Sequence, residues 1–370
     1  MPFGSEGVED QIGIALSGGG FRATLFHVGS LRRLVELGIL GRIGRISSIS
    51  GGSINAGRLA QVWDRLAANP TVANYEALVG QPLRAFCRRN IDARAAIEGL
   101  LSPFTSAGAE VEQEYARHVV DKRLDQLPDS PVFVINATNL QTGRSFRFTK
   151  DYMGDYRIGL IDRPTLPIAR AVAASSAFPP ILSPVVIRDP GEFRFVEGAD
   201  LHGNPAYSRK LFLTDGGVYD NLGLETVWNR CSTVLVSDAG APFAVNDTVQ
   251  TDLVRQTMRA LDIATDQSRA LRKRALIDDF KRGERAGTYW GIDTDILEYE
   301  TDGALRCKPE RVRRLAAIRT RLNAFNDQEQ GELINWGYAL TDAAIRRHAN
   351  QLAPDAPKPQ WPEPDWALDR

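Results

Sequence analysis

Two short apolar runs near the start of the chain constrain the fold more than any other feature. Each ends in glycines and leads into a helix. Residues 12–16, Ile-Gly-Ile-Ala-Leu, are followed by Ser17 and by Gly18-Gly19-Gly20. A run of that length closed by a glycine turn reads as a buried strand. From Arg22 to Leu37 the apolar residues Leu25, Val28, Leu31, Leu34 and Leu37 recur at helical spacing, and Gly38 is placed to stop the helix. Residues 45–49 form a second run, broken by Gly51-Gly52, and a helix is expected from Ile54 to Ala68. Strand–helix–strand–helix with glycines at each strand end is the pattern of a parallel α/β sheet.

The middle of the chain is less regular. Residues 74–127 read as mostly helical, with a turn-rich break at Ser102-Pro103-Phe104-Thr105. Residues 132–135 read as a buried strand and 145–148 as an antiparallel one, joined by a turn at Gln141-Thr142-Gly143. A helix over 167–175 stops at Phe178-Pro179-Pro180. Further strands are expected at 193–196, 211–213 and 234–236. After Pro242 the pattern turns helical, over 250–282, 309–324 and from Asp327 to Ala349, and Val312, Leu315, Ile318, Leu322 and Phe325 share one helical face that reads as core. The tail from Pro354 is rich in proline and acidic residues and reads as an extended strap or a mobile end. The expected division is an α/β core at 1–242 with a helical insertion at 70–128, a helical extension at 243–353 packed on that core, and a Pro-rich tail at 354–370.

Composition excludes several classes. Hydrophobic residues make up 43% and charged residues 25% of the 370, so the chain is globular rather than disordered. Forty-five Lys+Arg against 46 Asp+Glu leave no global charge excess to recruit nucleic acid or an anionic membrane. The three cysteines are odd in number and lack ligand spacing, which argues against a disulfide framework and a structural zinc site and fits a reducing compartment. The first basic residue is Arg22 and no apolar stretch approaches the ~18–20 residues of a membrane span, so a cytoplasmic protein is expected, meeting any lipid from outside.

Three motifs carry chemistry. Ser48-Ile49-Ser50-Gly51-Gly52 lies between a strand and a helix, where a serine can be held in a strained turn with its hydroxyl above the sheet. The flanking positions must be small, and Ser48 stands where the Gly-x-Ser-x-Gly pattern has its first glycine. Gly18-Gly19-Gly20-Phe21-Arg22 also opens a helix, and its unshielded N–H groups suit an oxyanion hole, with Arg22 holding the loop or neutralising charge nearby. A dinucleotide reading of Gly18-x-Gly20-x-x-Ala23 lacks the acid ~20 residues on, and Lys is missing from the P-loop position. Asp215-Gly216-Gly217 puts a carboxylate at a strand end, where open α/β sheets place their sites. Of the four histidines at 27, 118, 202 and 348, none is well placed as a base: His27 lies on the first helix and His348 close to the tail. A Ser–Asp pair, with the carboxylate raised by burial, fits better. Asp238, ending a strand, reads as a loop-shaping carboxylate.

On these residues the sequence resembles the patatin-like phospholipases. The resemblance is supported by Thr138-Asn139-Leu140-x-Thr142-Gly143, Ala174-Ser175-Ser176-Ala177-Phe178-Pro179-Pro180 and Val236-Ser237-Asp238-Ala239-Gly240, and spans residues 10–242. It implies a patatin-like, mostly parallel sheet sandwiched by helices, with additional C-terminal helices. It further implies hydrolysis of acyl esters of phospholipids or other lipids by a metal-free dyad. On that carry-over Ser50 is the nucleophile, Asp215 the base, Gly18, Gly19 and Gly20 the oxyanion hole, and Arg22 and Gly52 supporting residues; no cofactor is needed. The implied partners are a phospholipid or other acyl-ester lipid and the membrane surface, touched peripherally by an otherwise cytoplasmic protein. Relatives switched on by nucleotides or by assembly leave room for an activating nucleotide or for oligomerisation, in the C-terminal helices. A regulated membrane-degrading effector is one such reading. The alternative is a catalytically silent binding or scaffold protein on the same fold. The dense charges from Arg269 to Arg285 read as a solvated helix face, or as a contact for anionic headgroups.

Overall fold

The computed structural model describes residues 7–91, 107–249 and 251–369. The turn-rich break expected at Ser102–Thr105 lies outside them. Five strands form the parallel part of a ten-stranded sheet: β1 (Glu9–Leu16), β2 (Ile43–Ser48), β3 (Val132–Asn139), β9 (Cys231–Asp238) and β10 (Ala286–Gly291). Their order is β10-β9-β1-β2-β3. Beyond β3 the sheet turns antiparallel through β4 (Arg144–Phe148), β5 (Tyr152–Asp155) and β6 (Gly159–Asp162). β7 (Val185–Arg188) pairs antiparallel with β8 (Lys210–Asp215), and β8 with β3.

One detail of this topology positions the site. β2 ends at Ser48, opposite Ile135 of β3, but β3 runs on for four more residues. The edge that β2 vacates is taken by β8 from the opposite direction, with Asp215 opposite Ala137. Two strands far apart in sequence thus end almost tip to tip along one edge, and each tip carries a residue singled out above.

Side chains alternate across the sheet as the two-residue strand period requires. On one face Ile14, Leu16 and Leu235 pack into the large core with helices α1 (Gly20–Glu36), α2 (Gly51–Ala68) and, later in the chain, α7 (Asp327–His348). On the other, Ala15, Val234 and Val236 meet Leu222, Leu224, Val227 and Leu276. Leu276 belongs to the long helix α5 (Leu253–Arg282). Helix α4 (Ile168–Ser175) packs on β3 and α3 (Ala107–His118) packs on α4, and α6 (Pro309–Ala316) precedes α7.

Several expectations need correction. The helix after β2 begins at Gly51, three residues early, because the glycines themselves form its first turn. Residues 193–196 are not a strand; Arg194 makes only an isolated bridge to Leu160. The helix expected to reach 324 ends at Ala316, although Leu322 and Phe325 are still buried. The region 243–353 is not only helical: it contributes β10 to the sheet, and every residue of α7 from Gln330 to Ile345 is buried, so it completes the core. A buried ion pair, Arg33 Nη2 to Asp342 Oδ1 at 2.6 Å, ties α7 to α1. The tail is a strap, with Leu368 fully buried and the Asn335 amide donating to the carbonyls of Glu363 and Trp366.

Candidate active site

Ser50 occupies the tight turn between β2 and α2 with φ 49° and ψ −116°, a conformation that L-residues adopt only when their surroundings impose it. Those surroundings are visible. The Ser50 N–H donates to Ser175 Oγ at 3.0 Å, and Ser175 Oγ donates to the Asn136 carbonyl at 2.6 Å, which anchors the turn to β3. Ser53 Oγ lies 2.9 Å from Ser175 Oγ and 3.0 Å from Ser48 Oγ. The hydroxyl at Ser48 is therefore absorbed by this network, and its departure from glycine does not disturb the turn. Gly52 has no such latitude: a Cβ there would stand 2.3 Å from the Leu16 carbonyl oxygen, so the helix can start against β1 only without a side chain.

Asp215, at the tip of β8, lines the same cavity as Ser50, and the Ser50 hydroxyl is one of the groups that favour its ionised form. Its Oδ1 also accepts the Gly217 N–H at 2.7 Å, while its own N–H donates to the Ala177 carbonyl at 2.9 Å. Asp215 is buried, and desolvation pushes its pKa up to about 7 against the opposing influence of the Gly217 N–H and the Ser50 hydroxyl. A carboxylate so poised can exchange a proton near neutrality. The segment 175–178 explains itself here: Ser175 pins the serine turn, Ala177 pins Asp215, and Phe178 lines the opening.

The glycine loop faces the pair. Gly19, Gly20, Ser50, Asp215 and Gly217 line one cavity of about 320 Å³. The three glycines are not equivalent. The Gly18 N–H is committed to the Asn221 carbonyl at 3.0 Å and is not a free donor. Gly19 and Gly20 have no backbone N–H partner among the described residues, and both take positive φ, 140° and 58°. The expected donor trio thus narrows to a pair.

Arg22 does not face the cavity opening but staples the loop. Its guanidinium is fully buried and donates to the carbonyls of Ala239 at 2.6 Å, Ile318 at 2.8 Å and Ala316 at 3.0 Å. Burial, aided by Arg269, lowers its pKa to about 10. Asp238 is likewise structural, held by Arg269 Nε at 2.7 Å and the Tyr289 hydroxyl at 2.6 Å. Arg269, read from sequence as part of a solvated face, is buried against Asp238 and lines the cavity with Arg259, Asp262 and Asp266 of the same helix. Asn221, Arg259, Asp262 and Asp266 are among the cavity residues that sequence reasoning missed; Asn221 follows the Asp215 motif closely, but nothing in its spacing marked it.

None of the four histidines lines this cavity. His27 is buried between Ser237 Oγ, 2.8 Å from Nδ1, and the Ser17 carbonyl, 3.0 Å from Nε2. Desolvation lowers its pKa to about 4, so it is neutral and structural. Among the described residues no group of three or more His, Cys, Asp or Glu side chains could hold a metal ion, and no helix is long and apolar enough to cross a membrane.

Comparison with known proteins bears on the family and the fold. A search of curated protein sequences returned no significant match. Among solved structures the chain is similar to human GIVD cytosolic phospholipase A2, with TM-score 0.54, 13% identity, and coverage of 94% of this chain and 60% of that one. The same human enzyme in complex with methyl gamma-linolenyl fluorophosphonate gives 0.52 and 15%, covering 94% and 59%. At such identities the likeness is one of fold, and the chain spans about three fifths of the length of those structures. The patatin-like phospholipase family model matches residues 14–228, more than half of the chain and inclusive of Ser50 and Asp215. The chain belongs to the patatin-like phospholipase family.

Proposed function

We propose that this protein is a serine lipid acyl hydrolase of phospholipase A type, working through a Ser50–Asp215 dyad. The observation that carries the reading is a strained serine and a buried carboxylate of raised pKa brought together in one cavity. Asp215 takes the Ser50 proton as the hydroxyl oxygen attacks the ester carbonyl carbon. The carbonyl oxygen becomes an oxyanion in reach of the Gly19 and Gly20 N–H groups, and the alcohol leaves with the proton that Asp215 returns. Water, activated by the same carboxylate, then releases the fatty acid from the acyl-serine. The dyad requires no metal or cofactor.

Contact with a membrane is part of the reading. Phe178 lines the cavity and is 40% exposed, with Ile181 exposed three residues on. Val245, 94% exposed, and Val249 follow the cavity-lining stretch Pro242–Ala244. Exposed apolar groups beside a cavity for an ester fit shallow insertion into a lipid surface.

Labelling tests the proposal. A fluorophosphonate probe should modify the protein at Ser50, located by peptide mass spectrometry, and should abolish hydrolysis of a fluorogenic short-chain ester assayed in excess EDTA. An unlabelled protein with no esterase activity on soluble or vesicle substrates would favour the silent-scaffold alternative.

The pKa of Asp215 gives a second check. Its folded value is raised, so below about pH 7 the carboxyl is protonated and cannot accept the serine proton. The value of kcat/KM for a soluble ester should therefore rise about tenfold per pH unit up to about 7 and level off above it. A profile flat between roughly pH 5 and 8 would remove Asp215 as the base.

A further inference from the structure

A second cavity, of about 570 Å³, opens on the sheet face opposite α1, between α5, the outer edge of β10 and the end of α7. Its volume falls in the range that small organic ligands occupy. Three cations line it: Lys273 and Lys281 from α5, and Arg285 from the turn before β10. Neighbouring cations of the same helix, Arg269, Arg272 and Arg282, are paired with carboxylates, yet among the described residues none of these three has a carboxylate within ion-pair distance. The Lys273 ammonium sits over the Tyr289 ring at 4.4 Å, and Arg285 donates only to the backbone carbonyls of Trp228 and Glu284. Glu298 is the single carboxylate in the lining. His348 also lines it, and burial together with Arg347 depresses its pKa, which favours the neutral imidazole. The remaining walls are apolar or aromatic, including Ile277, Phe280 and Tyr299.

We propose that this cavity binds a small phosphate ester with a flat or apolar body. Unpaired ammonium and guanidinium groups converging on one concavity suit a phosphate, and the ring faces suit the body attached to it. The site is also placed to act on the first cavity. Lys273 stands one helical turn from Arg269, which lines the catalytic cavity. Tyr289, beneath Lys273, donates its hydroxyl to Asp238, the carboxylate that holds Arg269. A ligand that draws on Lys273 thus acts on the helix one turn from Arg269 and, through Tyr289, on the Asp238 that holds it; this link rests on the hydrolase reading above, whereas the binding itself does not.

Calorimetry on the full chain with three probes tests it. They are inorganic pyrophosphate for charge alone, adenosine monophosphate for a phosphate on a flat ring, and vesicles of phosphatidic acid in phosphatidylcholine for a lipid headgroup. Saturable binding of adenosine monophosphate, tighter than pyrophosphate, points to a soluble ester; binding only to the vesicles points to a headgroup. In either case Lys273→Gln with Lys281→Gln should weaken it by tenfold or more, with the thermal transition unchanged because both side chains reach solvent. Arg274→Gln, on the same helix but outside the cavity, should leave it unchanged. Absence of binding to all three probes, or equal loss in Arg274→Gln, overturns the site. With the bound probe present, the rate of short-chain ester hydrolysis should shift at least twofold in wild type and not in the double variant. An unchanged rate overturns the link to the catalytic cavity while the calorimetry decides the binding.

Discussion

Ser50→Ala is expected to lower kcat for ester hydrolysis by about 10⁴-fold or more while leaving the protein folded. The fold should survive because the turn is held through the backbone of Ser50: its N–H donates to Ser175, and alanine retains that donor. Neighbouring hydroxyls cannot take over. Ser47 Oγ is engaged at 2.6 Å with the Gly223 carbonyl, and Ser53 lies in the hydroxyl chain with Ser48 and Ser175. Any residual rate should come from binding and from the Gly19 and Gly20 N–H groups. The measurement is single-turnover and steady-state hydrolysis of a soluble ester, alongside a thermal melt. More than a tenth of wild-type turnover in a folded Ser50→Ala would sink the assignment.

Asp215→Asn should be as severe, since asparagine preserves shape and hydrogen bonding but cannot accept the serine proton. Because nucleophile and base act as one unit, the double variant should be scarcely slower than either single one. Stability should move the other way. The folded pKa of Asp215 lies near 7 and the unfolded value near 3.8, so the folded protein binds this proton more tightly. As pH rises from the lower value to the higher one, ionising the buried carboxyl costs stability, at about 1.4 kcal/mol per unit of pKa difference. The cost is fully present above pH 7 and absent below the unfolded value. Asp215→Asn should thus melt several degrees above wild type at pH 8, with the gap closing toward pH 4. A folded Asp215→Asn that stays within tenfold of wild-type kcat/KM would return attention to the histidines, and a melting temperature lower at pH 8 would contradict the burial cost.

These two residues could be found from sequence because each sits at a strand end marked by glycines, and strand ends of one sheet face a common crevice. Their actual meeting depends on something no local pattern records, namely that β3 outlasts β2 and lends the vacated edge to β8. The short strands β5, β6 and β7 were illegible for the opposite reason: four residues carry too few periods to register. β10 was overlooked because it follows thirty helical residues and its glycines at both ends of the pattern obscure its alternation. Gly18 could not be separated from Gly19 and Gly20 by residue type, since what distinguishes it is the Asn221 carbonyl 203 residues away. Arg269 reads as solvated in a charge-dense helix, and only the burial of Asp238 beside it draws it inward.

The staple at Arg22 bears on where this chain's family likeness stops. Residues 14–228 contain the serine, the carboxylate and the glycines, yet the carbonyls that fix Arg22 belong to Ala239, Ala316 and Ile318, and Phe21 N–H is received by the Arg321 carbonyl. The glycine loop is therefore clamped by chain that lies beyond the matched segment. Grafting 14–228 onto another carrier would transplant the reactive groups without their jig, and would strand a buried guanidinium with no acceptors. Changes downstream of residue 228 are consequently not decoration: a substitution that moves the carbonyls of Ala239, Ala316 or Ile318 shifts the jig, and reaches Gly19 and Gly20 without touching either.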